Sequence, residues 1–251
     1  MIQVKDLSIS FNRKTIIDRI SFFVPEGKSL AIMGKNGSGK SVILKALSGL
    51  IDYEGTVDIN GIDISELYKD RYSISSDDVN RFRIAYVFQK GGLFDSMNVF
   101  DNVAFGLRRM KVEEESIEKM VVNSLARVGL RGNEQKMISE LSGGMQKRVG
   151  LARALCFNPN IIFFDDPTAG LDPILSDSII DLILEIKNSF KTTSIIVTHD
   201  SKLVQKVADS IALLYNGKIV FEGDSGSFLS KSDPYARQFI EGEIEGPIDI
   251  F

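Results

Sequence analysis

Apolar residues fall at Ile2, Val4, Leu7, Ile9 and Phe11, then again at Ile20, Phe22 and Val24, a spacing near two that predicts half-buried antiparallel strands. Thr56–Ile59, just ahead of the turn pair Asn60–Gly61, predicts another. Between these pieces Ser29–Met33 reads as a short buried strand and Val42–Leu47 as a helix. Further on, Ile84–Val87, Ile161–Asp165, Ser194–Thr198 and Ile211–Tyr215 read as strands, with helices at Met145–Leu155, Ile174–Lys187 and Ser201–Ala208. That alternation belongs to an α/β protein with a mostly parallel sheet. Asn216–Gly217 turns a closing hairpin into Ile219–Phe221.

Two stretches stand apart from this alternation. Val99–Leu107 and Glu113–Val128 have helical spacing with their charges on one face, which predicts an inserted α-helical subdomain at about residues 91–150. Lys69–Asn80 is polar and serine-rich and reads as an exposed loop or short helix. The last residues, 226–251, form a C-terminal extension. From Pro234 onward it mixes acids with Ile240, Ile244, Ile248, Ile250 and Phe251, the pattern of a frayed terminus or of a docking arm.

Composition adds boundaries. The chain has 251 residues, 43% hydrophobic and 25% charged, which is ordinary for a folded domain and argues against disorder. A net charge of −4 gives no basic footprint for nucleic acid. The lone Cys156 has no partner for a disulfide and fits a reducing compartment. No apolar run approaches the roughly 20 residues that cross a bilayer, and no signal peptide is expected at the N-terminus.

Gly34–Lys35–Asn36–Gly37–Ser38–Gly39–Lys40–Ser41 fits the phosphate-loop pattern of Gly, four residues, Gly, Lys, then Ser or Thr. It lies between a predicted strand and a predicted helix, the context the motif requires. The glycines let backbone N–H groups turn inward on phosphate, and the helix start adds its positive end. Lys40 is expected at the β- and γ-phosphates of ATP and Ser41 on Mg²⁺. Ile161–Phe164 followed by Asp165 is an apolar strand ending in a carboxylate placed to hold Mg²⁺. Asp166 either polarises the attacking water or opens a turn before Pro167.

Ser142–Gly143–Gly144 starts the helix Met145–Leu155 and offers a second anion site, with a plain helix cap as its alternative. Gln89 follows a strand and reads either as a group for Mg²⁺ and water or as a polar strand end. His199, the single histidine, ends another strand and by itself reads as structural.

The ordered set of phosphate loop, Gln89, Leu141–Gln146, Asp165–Asp166, Ala169–Asp172 and His199 resembles the ATP-binding subunits of ABC transporters, over roughly residues 1–225. The resemblance implies the ABC ATPase fold, a phosphate-loop NTPase core of RecA-like type. It implies a head-to-tail homodimer in which each ATP lies between one chain's phosphate loop and the other's Leu141–Gln146. Ser142, Gly143, Gly144 and Gln146 would then serve the partner's nucleotide, Phe11 the adenine, His199 the γ-phosphate, and Asp172 a cross-dimer contact. The family usually carries Glu where this chain has Asp166, shorter by one methylene, so slow but real hydrolysis is expected.

Phe88–Val103 and the segments Arg237–Gly242 and Gly246–Ile248 are similar to the ATPase subunit of Mla- and Mce-type lipid transporters. That likeness implies phospholipid as cargo, an integral-membrane permease and a place on the cytoplasmic face of the inner membrane. It also implies a small cytoplasmic accessory protein and an outward-facing Mce-type lipid-binding protein. Independently, Leu93, Phe94, Met97, Val99 and Phe100 are apolar groups that form either a groove for a permease helix or the insert's own core. The alternatives to the motor are a soluble ATP-dependent clamp without a permease, a transporter motor for another solute, and a nucleotide switch with negligible hydrolysis.

Overall fold

The computed structural model describes residues 1–64 and 83–249; the predicted Lys69–Asn80 loop lies outside the described residues. Two sheets carry the chain. β1 (Ile2–Phe11), β2 (Lys14–Val24), β4 (Glu54–Ile59) and β5 (Ile62–Asp63) form an antiparallel sheet in the order β2-β1-β4-β5. The second sheet contains β3 (Ser29–Met33), β6 (Ile84–Val87), β7 (Ile161–Asp165), β8 (Thr193–Val197), β9 (Ser210–Tyr215) and β10 (Lys218–Asp224). Its order is β10-β9-β3-β8-β7-β6, parallel throughout except for the β9–β10 hairpin.

The central strands are buried on both faces, as parallel strands covered by other layers must be. Alternate residues serve different cores. On β7, Ile161 and Phe163 join the core beneath the antiparallel sheet, whereas Ile162 and Phe164 join the core shared with the helical insert. β8 divides in the same way, with Ile195 and Val197 on one side and Ile196 on the other.

α1 (Lys40–Leu47) begins two residues earlier than its apolar spacing predicts. The insert is built from α2 (Val99–Arg109), α3 (Glu114–Arg127) and α4 (Gly143–Leu155), which meet through Val99, Val103, Leu107, Ile117, Val121, Leu125 and Val149. Asn102 is fully buried and ties down the segment before α2: its Oδ1 accepts from Phe94 N, and its Nδ2 donates to the carbonyls of Phe94, Met97 and Asn98. α5 (Pro173–Phe190) and α6 (Ser201–Val207) cover the insert side of the sheet. Cys156 is buried among apolar groups, and desolvation pushes its thiol up to about 11.

The tail departs from the frayed reading. α7 (Ser225–Leu229) and α8 (Pro234–Glu241) pack Phe228 and Ala236 against Ala31, Met33, Ile211 and Leu213 of the sheet, and Ile248 returns to the same core. Gln238 makes that return possible. Its Oε1 accepts from Ile248 N at 2.6 Å and its Nε2 donates to Ile248 O at 2.9 Å, so the strap's own backbone groups are satisfied inside an apolar layer. One amide side chain thus replaces a missing strand neighbour, a role that hydrophobic patterning does not reveal. Asp249 then reaches the phosphate loop, where Lys35 Nζ donates to its carbonyl.

Candidate functional site

Four adjacent parallel strands, in the spatial order β3, β8, β7, β6, end at the same edge of the sheet. Their continuations are the loop from Gly34, the pair Thr198–His199, the pair Asp165–Asp166, and Gln89. Crossover topology therefore gathers residues from four distant stretches of sequence at one carboxyl edge, the usual binding edge of open α/β sheets.

The chain leaves β3 through Gly34, where φ is +151° and a Cβ would lie 2.4 Å from the carbonyl oxygen of Leu214 on β9. Only glycine fits there. The loop closes on α1, whose first N–H groups face it without intrahelical partners. Lys40 is 8% exposed and its Nζ donates to the carbonyls of Gly34 and Lys35 at 2.7 Å each. Burial pushes its ammonium below the usual lysine range, opposed by the carboxylates of Asp166 and Asp165. Ser38 Oγ, beside Gly34, is buried with no hydrogen-bond partner, which suits a polar ligand group supplied from outside.

Asp165 is held from two sides. Ser41 Oγ donates to its Oδ1 at 2.6 Å and the Tyr86 hydroxyl donates to its Oδ2 at 2.8 Å. Burial pushes the Tyr86 phenol far up, and the neighbouring carboxylate adds to that, so Tyr86 stays a donor. A hydroxyl and a carboxylate oxygen this close form the hard-oxygen pair that Mg²⁺ takes from a protein when phosphate and water complete its shell. Ser41 and Asp165, with Gln89 on the same wall, fit that ion.

Asp166 has φ +44°, a left-handed conformation that Asp adopts more readily than most residues. Its N–H donates to Val197 O at 2.8 Å, its Oδ1 accepts from Thr198 Oγ1 at 3.3 Å, and its Oδ2 lies 3.0 Å from His199 Nδ1. The side chain therefore bridges the ends of β7 and β8, while its carbonyl accepts the turn bond from Ala169 N. His199 is half exposed and presents its other ring nitrogen outward from Asp166.

A hollow of about 500 Å³ is lined by Phe11, Asn36, Gly37, Gly39, Lys40, Ser41, Gln89, Asp165 and Asp166, with Ile16, Val42 and Val197 as apolar wall. Phe11 reaches it from the end of β1, ahead of a turn in which Asn12 and Arg13 both have positive φ. The second group of residues is elsewhere. Ser142 caps α4, its Oγ accepting from Met145 N at 3.3 Å, and Gln146 Nε2 donates to Ile138 O and Leu141 O. Asp172 caps α5 by accepting from Ile174 N and Leu175 N at 3.0 Å. A Cβ on Gly144 would lie 3.2 Å from Leu175 Cδ2, so the two helix starts are neighbours. None of Ser142, Gly143, Gly144, Gln146 or Asp172 lines the hollow.

Sequence reasoning did not find Tyr86, Thr198 or Lys147. The first two face Asp165 and Asp166 only because β6 and β8 flank β7. Lys147 carried a readable signal: it shares a helix face with Leu151 and Ala154, both buried, and is itself 9% exposed. Desolvation pushes its ammonium down, opposed by Asp166 and Asp165.

The apolar groups after Gln89 do not share one environment. Val99 is fully buried in the insert, and Leu93 and Phe100 pack against the same core, so these three belong to no groove. Phe94 is 41% exposed, its ring 4.7 Å from that of Phe105. Together with Phe88, Phe157 and Arg153 they line a mainly apolar hollow of about 460 Å³. The difference follows from α2, whose inward face starts at Val99.

A phosphate loop joined to an acid-ended strand, with a histidine and a glutamine at neighbouring strand ends, defines a nucleoside triphosphatase. The family model described as "ABC transporter" matches residues 17–169, and the chain belongs to that family as an ATP-binding, ATP-hydrolysing subunit. The intermembrane phospholipid transport ATP-binding protein MlaF of Escherichia coli K12 is 38% identical, with 99% of this chain and 91% of MlaF covered. The probable ribonucleotide transport ATP-binding protein mkl of Mycobacterium tuberculosis H37Rv is 40% identical over 99% of this chain and 68% of mkl. Among solved structures, the dimeric post-hydrolysis state of the ATP-binding cassette MJ0796 bound to ADP and Pi aligns with a TM-score of 0.76. That alignment has 27% identity and covers 90% of this chain and 99% of MJ0796.

Proposed function

We propose that this chain is the motor of a phospholipid transporter, working as a head-to-tail homodimer beneath an integral-membrane permease. The observation that carries the dimer is the separation of its two phosphate-binding segments: the helix start at Ser142–Gly144 lies outside the hollow that holds the phosphate loop. A second copy, turned end for end, brings Ser142, Gly143 and Gly144 to the open side of that hollow. The similarity to the dimeric MJ0796 cassette supports this arrangement.

In this reading Phe11 stacks on adenine, and Asn36–Gly39 and Lys40 bind the phosphates. Ser41, Asp165 and Gln89 would hold Mg²⁺, which would supply neutralisation of charge developing on the phosphoryl oxygens. Asp166 accepts the proton of the attacking water, and its contact with His199 orients the ring so that the outer nitrogen meets the γ-phosphate. Asp172 fixes the start of α5 beside the partner's nucleotide, and Gln146 secures the turn preceding Ser142.

No helix among the described residues is long and apolar enough to cross a membrane. The hollow at Phe88, Phe94 and Phe105 suits a permease's cytoplasmic helix and adjoins Gln89 in sequence, which links cargo movement to the nucleotide. The likeness to MlaF, an intermembrane phospholipid transport ATP-binding protein, supports phospholipid as cargo; a place on the cytoplasmic face of the inner membrane and accessory and Mce-type partners are part of the same proposal.

Purifying the native complex through this chain is expected to bring down a polytopic membrane protein and extractable phospholipid. Phe94→Asp should lose the membrane protein while ATP affinity stays within about twofold, since the aspartate would be desolvated against an apolar helix. Recovery of bound ribonucleotide and no lipid would transfer the cargo to the chemistry named for mkl. A soluble assembly with no membrane protein would remove the permease altogether.

A further inference from the structure

One face of α4 grips the whole turn that carries Gln89. Lys147 Nζ donates to Gln89 O. Three residues on, Gly150 packs so closely that a Cβ there would lie 3.3 Å from both Cα and O of Gly91. Three residues further, Arg153 donates to Gly92 O at 2.7 Å and to Gly91 O at 2.8 Å. Residues at this spacing lie along one side of a helix, and here they meet Gln89, Gly91 and Gly92 in order.

The turn has few other supports. Gly91 and Gly92 both have positive φ, and Gly91 N donates back to Phe88 O at 2.8 Å. Gln89 itself is exposed, on the wall of the nucleotide hollow. Its carbonyl is the point nearest its side chain where anything holds the main chain from α4. That anchor is a charge-assisted hydrogen bond from a buried lysine, which is stronger than a neutral one.

We infer that Lys147 is a positioning residue for ATP hydrolysis: it fixes the main chain at Gln89 and thereby joins the pocket of one copy to the helix whose first residues serve the other copy's nucleotide. The inference rests on the reading of Gln89 as a pocket ligand. Lys147 acts through Gln89, so its removal lets the turn shift while leaving the phosphate loop intact. A displacement near 1 Å at a reacting centre costs ~10²-fold in rate, and a partial shift should cost about tenfold.

The test uses the purified full chain with Mg-ATP. Lys147→Met keeps the apolar stem and removes the donor. It is expected to lower kcat about tenfold with KM for ATP changed less than about twofold, and Lys147→Arg to restore most of the loss. Combined with Gln89→Ala, it should add nothing to the loss caused by Gln89→Ala alone. A multiplicative double variant, or an unchanged kcat in Lys147→Met, overturns the inference while leaving Gln89 in its role. An unchanged kcat in Gln89→Ala overturns the reading of Gln89 and the inference with it. If Lys147→Met does not fold, Lys147→Arg and Lys147→Gln, which retain a donor, are compared for the same split between kcat and KM, and equal loss of both parameters overturns it.

Discussion

Asp166→Asn is expected to slow ATP turnover about 100-fold while Mg-ATP affinity changes less than about twofold, and to convert the ATP-bound dimer into a long-lived species. The amide keeps the left-handed backbone at φ +44°, which Asn tolerates as well as Asp, so the fold should hold. It can still accept one of the two bonds that now come from Thr198 and His199. What it loses is the capacity to take a proton from water, and removing a general base typically costs 10²–10⁴-fold. Gel filtration with Mg-ATP should show dimer for Asp166→Asn at concentrations where the parent chain turns over and separates. A parent rate in the variant removes Asp166 as base; a strictly monomeric variant removes the reciprocal site.

Lys40→Met should weaken ATP binding by roughly 30–100-fold and leave turnover below about 1% of the parent. The lysine is buried and its donors now satisfy the carbonyls of Gly34 and Lys35. Charge-assisted bonds to phosphate contribute about 2–3 kcal/mol each, and the lost transition-state stabilisation adds to that. Stability should move differently. The ammonium resists desolvation, and replacing such a charge by an apolar stem of similar length is often neutral or favourable. The nucleotide-free variant should therefore melt near the parent's temperature, and the rise in Tm on adding Mg-ATP should vanish. Thermal melts with and without Mg-ATP measure both.

Much of this site was legible because its chemistry sits in short runs with fixed spacing. The phosphate loop at 34–41 and the apolar strand ending at Asp165 are local patterns, and both fall at the ends of short, continuously apolar runs. The pairing of His199 with Asp166 was not local, since it depends on β8 lying beside β7, and no spacing rule encodes which strands become neighbours. Tyr86 escaped for the same reason. The tail escaped for a different one: its apolar residues are few, and a single amide, Gln238, supplies the backbone partners that make their burial affordable. The apolar segment after Gln89 was readable as apolar but not divisible, because the division depends on the direction in which α2 leaves Asn98.

The common edge of β3, β8, β7 and β6 acts as a ruler. Each reactive group stands one or two residues beyond the end of its strand: Gly34 after Met33, His199 after Val197 and Thr198, Asp166 after Asp165, Gln89 after Val87 and Phe88. Strands advance about 3.3 Å per residue and alternate their faces, so inserting or deleting one residue within any of the four would slide its group by a bond-breaking distance and reverse its side. Changes of side chain at exposed positions of the surrounding helices carry no such penalty. The molecule's tolerance to variation is therefore uneven by construction, open to substitution at its periphery and closed to any change of length across its middle.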